Sequence, residues 1–216
     1  MVQQTSKKKD GPARNEEKEA AILEFAVKVF AEEGYKNTDV EKIAGLADVG
    51  KGTIYRYFIN KEGLFHAALR YCSGQAVKSF RSTYDINEDG EVDCKDGLPT
   101  DALSILRSIA LSYAQFYKKN PEAVELMIQE RAEFRKTKLP GHLLHRAEHR
   151  KRMDNFLRRA IDKGEIRKVN IAQTTNAYAD LLFGCVVNGV LEGSKSKLVA
   201  RMECAVDLFL NGLNTD

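Results

Sequence analysis

Between residues 51 and 57 the chain reads Lys-Gly-Thr-Ile-Tyr-Arg-Tyr, a short run crowded with hydrogen-bond donors. Lys51 and Arg56 carry cationic donors that reach phosphate oxygens or the acceptor edge of guanine. Thr53 offers a hydroxyl for phosphate and a methyl for thymine. The phenols of Tyr55 and Tyr57 can donate to phosphate. Gly52 has no side chain, which lets a backbone come close to a large ligand. Lys61 stands at the start of the next predicted helix, and Thr38 before an earlier one. Donors of these types on one short helix point to double-stranded DNA.

A second run, residues 85–96, reads Asp-Ile-Asn-Glu-Asp-Gly-Glu-Val-Asp-Cys-Lys-Asp. It fits the calcium-loop spacing of alternating oxygen donors around a glycine. Asp85, Asn87, Asp89 and Asp93 would supply side-chain oxygens, Glu91 its carbonyl, and Gly90 the sharp turn. Asp96 takes the twelfth place, where glutamate is usual, and its shorter reach weakens Ca²⁺ or favours Mg²⁺. The run resembles EF-hand and dockerin loops. It has no second copy, and Gly97-Leu98-Pro99 interrupts the expected exit helix. The plain alternative is an acidic, solvated loop. His142, His145 and His149 share one helical face, among Arg146, Arg150, Lys151 and Arg152. That face is a conceivable transition-metal site, or else solvated or pocket-lining.

The elements that must hold these groups are predicted to be helices. Ile22, Phe25, Ala26, Val29 and Phe30 form one apolar stripe, so a helix is expected over 15–33 and Gly34 should stop it. Thr38 or Asp39 caps a second helix with Val40, Ile43, Ala44 and Ala47 inward. Ala47-Asp48-Val49-Gly50 makes a tight turn, where Asp and Gly tolerate a left-handed backbone. A third helix spans 51–58 with Ile54 and Phe58 inward. A fourth, capped by Asn60, begins near Lys61 and runs toward Tyr84. Residues 85–98 read as loop. Five more helices follow: to about 119, 121–136, about 141–162, 171–191 and 196–212. No convincing strand is expected, and the fold class is all-α with nine helices.

Composition narrows the functional classes. The chain has 216 residues, 43% hydrophobic and 30% charged, as expected of a soluble globular protein able to bury a core. A formal net charge of +3 is too small to establish nucleic-acid binding by itself. Residues 1–62 hold 11 basic and 11 acidic side chains, so a DNA-binding face requires the charges to be sorted. The four cysteines form no CxxC pair and read as reduced thiols of a cytoplasmic protein. The N-terminus has no apolar signal segment, and no stretch is long and apolar enough to span a membrane. No nucleophile elbow, phosphate loop or HExxH occurs, so an enzyme is not expected.

Phe30, Gly34, Tyr35, Thr38, Ile43, Ala44, Ala47, Val49, Gly52, Thr53, Tyr55, Tyr57, Phe58, Lys61 and Leu64 together resemble the DNA-binding domain of the TetR family of transcriptional regulators. The resemblance covers about a third of the chain, residues 20 to 70. It implies a helix-turn-helix whose second helix enters the major groove of a palindromic operator, with Thr38 and Lys61 clamping phosphates. The family turn usually reads Ala-Gly-Val-Ser; here Asp48 adds a negative charge and Gly50 removes a capping hydroxyl.

The resemblance divides the chain into a disordered basic tail (1–14), a DNA-binding domain (15–62) and a helical effector-binding and dimerisation domain (63–216). The tail's Lys7, Lys8, Lys9 and Arg14 serve solubility or follow DNA as an arm. Tyr113, Phe116, Tyr117, Met127, Phe134, Phe156, Tyr178 and Phe183 are the candidate lining of a small-molecule effector pocket, with plain core as the alternative. The last two helices, apolar around 176–193 and striped with Ala205, Leu208, Phe209 and Leu213, are the expected homodimer interface. The leading expectation is a ligand-responsive, homodimeric repressor. The alternative is a calcium-binding helical interaction module.

Overall fold

The computed structural model describes residues 12–95, 97–135 and 140–215. The expectation of disorder over 1–14 lies outside the described residues up to residue 11. The chain forms two compact units, Met1–Tyr71 and Cys72–Asp216, so the division falls later than the boundary expected at residue 62.

The first unit opens with α1 (Pro12–Asn37), which starts earlier than expected, with proline in its first turn where a missing N–H costs nothing. Gly34 leaves the helical path at φ 78°, a conformation that favours glycine. The sequence left the cap of α2 (Val40–Leu46) open between two residues. Asp39 is the cap, its Oδ1 accepting from the Glu41 N–H at 2.9 Å. Asp48 takes φ 51° in the turn, and α3 (Lys51–Phe58) follows, burying Ile54 and Phe58. Asn60 Oδ1 accepts from the Gly63 N–H and so caps α4 (Lys61–Arg81), through which the division between units runs.

The core of this unit comprises Ile22, Ala26, Phe30, Ile43, Ile54, Leu64, Phe65 and Ala68, all fully buried. The Phe65 ring packs edge-on to Phe30 at 5.0 Å and to Tyr35 at 5.2 Å. Each large side chain buried in this way stabilises the unit by roughly 1.5–3 kcal/mol. Gly63 has no room for a side chain, since a Cβ there would lie 2.0 Å from the Phe58 carbonyl oxygen.

The second unit contains β1 (Tyr84–Ile86), β2 (Val92–Cys94), α5 (Ala102–Lys119), α6 (Pro121–Glu133), α7 (Gly141–Asp162), α8 (Ile171–Leu191) and α9 (Leu198–Asn211). Asp101 and Asn170 cap α5 and α8 through their side chains, and Pro121 opens α6. Helix α9 packs on α5 and α8, and α7 on α8. Among the described residues there are nine α-helices, as the apolar spacing predicts, and none is long and apolar enough to cross a membrane.

The expectation of no strand is corrected here. α4 ends at Arg81, and Tyr84, Asp85 and Ile86 pair antiparallel with Cys94, Asp93 and Val92. Tyr84 and Ile86 are buried and Val92 half-buried, the alternation that suits a pleated surface. Gly90 turns the hairpin at φ 79° and is seated on α7: a Cβ there would lie 2.3 Å from the Phe156 nitrogen.

Candidate functional site

Helix α3 turns its apolar residues inward and leaves Gly52, Tyr55 and Arg56 exposed. Among the described residues, nothing beyond the local backbone and chain neighbours lies within 4 Å of a Cβ built on Gly52 or Gly50, so no tertiary contact described demands a glycine at either place. Lys51 Nζ lies 3.4 Å from Glu41 and 3.8 Å from Asp39, and its bond to Glu41 holds the ammonium pKa above its ordinary value. The Arg56 guanidinium stands 5.5 Å from the Tyr57 ring centre. The Tyr57 hydroxyl donates to Asn15 Oδ1 at 3.1 Å, a contact between residues 42 positions apart that no local pattern marks. Lys61 donates to the Lys36 carbonyl at 3.0 Å and lies over the Tyr35 ring.

Thr38 departs from its expected role. It is buried at 4% exposure, and its hydroxyl donates to the Gly34 carbonyl at 2.8 Å. The side chain fixes the α1–α2 corner rather than facing outward. The surface that remains is a short helix bearing one glycine, two phenols, one threonine and two cations, a composition suited to a duplex groove.

The candidate calcium ligands lie on the hairpin and its turn. Asp85 accepts two hydrogen bonds from Arg81, which holds its carboxyl below the usual range. Asn87 Oδ1 accepts from the backbone N–H groups of Asp89 and Glu91. Glu91 pairs with Arg159 at 3.1 Å, and Glu88 with Lys151 at 3.1 Å and Arg152 at 3.5 Å. Asn155 donates to the Glu88 carbonyl. Three acidic groups therefore face cations, most of them on α7. Asp89 and Asp93 are exposed, and Asp96 lies outside the described residues.

A cavity of about 270 Å³ opens in the second unit. Of the expected lining, Tyr113, Tyr117, Met127, Tyr178 and Phe183 border it. Phe116, Phe134 and Phe156 do not. Phe116 instead packs edge-on to the Tyr117 ring at 5.0 Å, and Phe156 is buried beneath the hairpin tip. Val77, Phe80, Ile109, Leu143, Met153 and Leu182 complete an apolar wall. Tyr178 donates its buried hydroxyl to the Leu106 carbonyl, and burial pushes the Tyr113 phenol up to about 12.

The polar side of this cavity includes the α7 histidine face, for which pocket lining is one of the alternatives open from the sequence, and adds Arg81 from α4, which no spacing in the sequence marks. Arg81, Arg146 and Arg152 border the cavity, with His142, His145 and His149. The α7 members recur at i, i+3, i+4, i+7 and i+10, a spacing that places them on one helical face. His142 stacks on Phe183 at 4.2 Å, and Arg146 binds Asp180 and Asn176 at 2.6 and 2.8 Å. Burial holds all three histidines below their ordinary pKa.

On α8 and α9 the small residues divide by role. Gly189 packs on Leu198, whose Cδ1 would lie 2.7 Å from an added Cβ, and Ala179 borders the cavity. Gly184 meets nothing within 4 Å. Leu191 and Leu208 are 63% and 72% exposed. Leu213, expected on the outward stripe, is buried at 5%.

Comparison with known proteins agrees with this geometry. The sequence model of the family described as "Bacterial regulatory proteins, tetR family" matches residues 22–68. The fatty acid metabolism regulator protein of Bacillus subtilis (strain 168) is 30% identical over 203 residues, covering 89% of this chain and 94% of that one. The fatty acid degradation regulator FadR of Bacillus halodurans superposes with a TM-score of 0.72 at 25% identity, over 94% of this chain and 97% of that one. FadR of Bacillus subtilis in complex with stearoyl-CoA gives a TM-score of 0.70 at 24% identity, over 90% and 98%. With identity sustained along nearly the whole of both chains, and with the helix-turn-helix segment matched on its own, this chain belongs to the TetR family of bacterial regulatory proteins.

Proposed function

We propose that this ligand-responsive, DNA-binding transcriptional regulator acts as a repressor, bound as a two-fold homodimer to a palindromic operator and released by an anionic amphipathic effector of the acyl-thioester class. The observation that carries the effector class is the cavity: an apolar lining together with three arginines and three histidines, which outnumber the two carboxylates, Asp85 and Asp180, that also border it. Such a lining matches a hydrocarbon chain joined to an anionic head, because each buried methylene contributes about 0.8 kcal/mol while guanidinium groups bind phosphate or carboxylate. Stearoyl-CoA, bound by the Bacillus subtilis structural relative, has that chemistry. The cavity volume of about 270 Å³ leaves room for a hydrocarbon chain along the apolar lining.

The dimer rests on the exposed apolar pair Leu191 and Leu208 and on the open surface at Gly184, which allows close helix approach. Two copies would present α3 twice, about 34 Å apart, to successive major grooves.

A gel shift with DNA from upstream of the protein's own coding sequence tests both parts. The expected result is a shifted band that long- or medium-chain acyl thioesters abolish and a neutral ester of equal length does not. A protein that retards no duplex overturns the operator reading. A band unmoved by every acyl thioester overturns the effector class alone.

A further inference from the structure

Outside the DNA-facing surface, one cluster of metal-binding side chains stands out among the described residues. His145, Glu148 and His149 place their ligand atoms within 4.8 Å of one another. They follow at i, i+3 and i+4 on α7, so a single rigid helix presents them all. The imidazole rings of His145 and His149 lie 4.4 Å apart, edge to face, and His145 Nδ1 is 3.7 Å from the Glu148 carboxylate. We infer that His145, Glu148 and His149 form a site for one divalent transition-metal ion of the zinc, cobalt or nickel class on the cavity wall of α7.

The donor set selects the ion. Two imidazole nitrogens and one carboxylate oxygen suit borderline ions, whereas calcium and magnesium want oxygen alone. Ligand distances of about 2.0–2.2 Å require the three groups to close by a small side-chain rotation. Two of the neighbouring cations on α7 are already matched, while Arg152 and Lys151 share the single carboxylate of Glu88. Arg146 is bound by Asp180 and Asn176, Arg150 by Asn176 and Asp154, and Arg152 lies against Glu88.

Three protein ligands leave a tetrahedral ion one further position. Because both histidines border the cavity, that position is filled from the cavity side, by water or by an oxygen of the effector. Metal binding itself does not depend on which effector enters.

The test uses the full chain, freed of metal with chelator and kept reduced. Co²⁺ is titrated against visible absorption, and Zn²⁺ by calorimetry. The expected result is one ion per chain with ligand-field bands. His145→Ala and His149→Ala should each weaken binding about tenfold or more, since even the loss of an outer-shell partner costs 10–100-fold. His66→Gln, in the other unit, should leave it unchanged. Far-UV circular dichroism checks the fold, and His→Gln forms replace any alanine variant that loses its helical signal. Absence of cobalt bands and zinc heat in the wild type overturns the inference, as do histidine variants that bind like wild type, which would assign the ion to the cysteines.

Discussion

The guanidinium of Arg81 donates to both carboxylate oxygens of Asp85, Nε to Oδ1 at 2.7 Å and Nη2 to Oδ2 at 2.9 Å. Both residues border the cavity, so an anionic effector head must compete with Asp85 for Arg81. Asp85→Asn is expected to strengthen binding of an acyl thioester by up to about fivefold. It should lower stability by less than about 1 kcal/mol, because both side chains are over 40% exposed and solvent screens the pair. Calorimetric titration of the two proteins checks this; weaker binding by the variant would assign Asp85 a direct role in holding the ligand.

Any calcium bound at the same hairpin would have to enter against its ion pairs. Asp85, Glu88 and Glu91 each face a cation of the protein, so affinity is expected at the weak end, roughly 10⁻⁴–10⁻³ M. Arg81→Gln should strengthen it by freeing the Asp85 carboxylate, a candidate ligand. Calcium calorimetry on both proteins decides, and micromolar binding by the wild type would mean that the pairs yield readily.

Gly90→Ala places a methyl against the backbone of Asn155 and Phe156 and also forces a non-glycine residue to φ 79°. The hairpin must lift from α7, at a cost of roughly 2 kcal/mol or more. Thermal unfolding should show the loss, together with faster hydrogen exchange at Asn87 and Gly90.

Asp48 holds a left-handed backbone at φ 51° and brings a negative charge to the turn before α3. Glycine meets the backbone demand without the charge. Asp48→Gly is expected to tighten operator binding by roughly three- to tenfold at low salt, fading as salt rises. Fluorescence anisotropy across a salt series measures it; equal affinities at every salt would place Asp48 away from the phosphates.

His142, His145 and His149 give the second unit an acid sensitivity. Their folded pKa values lie below the ordinary 6.5, so on acidification the unfolded chain takes up protons first. The stability they permit is complete above about pH 6.5 and declines as pH falls toward their depressed values. Replacing all three with glutamine should flatten the thermal midpoint between about pH 7 and 5. Parallel pH curves for the two proteins would contradict this.

The helices were legible because burial leaves a 3.6-residue signature: Ile22, Ala26 and Phe30, or Ile54 and Phe58, mark the inward face wherever they occur. Gly34 and Asn60 declared their ends by chemistry specific to those positions. The hairpin was not legible, because strands of three residues are too short for period-two alternation to register. Its Asp, Asn and Gly residues are also the vocabulary of a solvated turn and of a cation loop. Thr38 misled for a related reason: a hydroxyl before a helix can serve as a cap, meet a phosphate or bond a carbonyl, and only the path of α1 at Gly34 selects the last. The cavity's basic side was readable as a spacing on α7. What that face meets depends on where the apolar walls of α4, α5 and α8 lie, and no local pattern records that.

Exposed hairpin tips usually tolerate grafts well. In this protein Gly90 is wedged against a helix, so a fluorescent reporter spliced at 88–90 would unseat the cavity wall it was meant to watch. The exposed bend at Lys163–Gly164, with Gly164 itself kept at φ 73° and nothing described within 4 Å of a Cβ built there, is the better insertion point for an effector biosensor built on this scaffold.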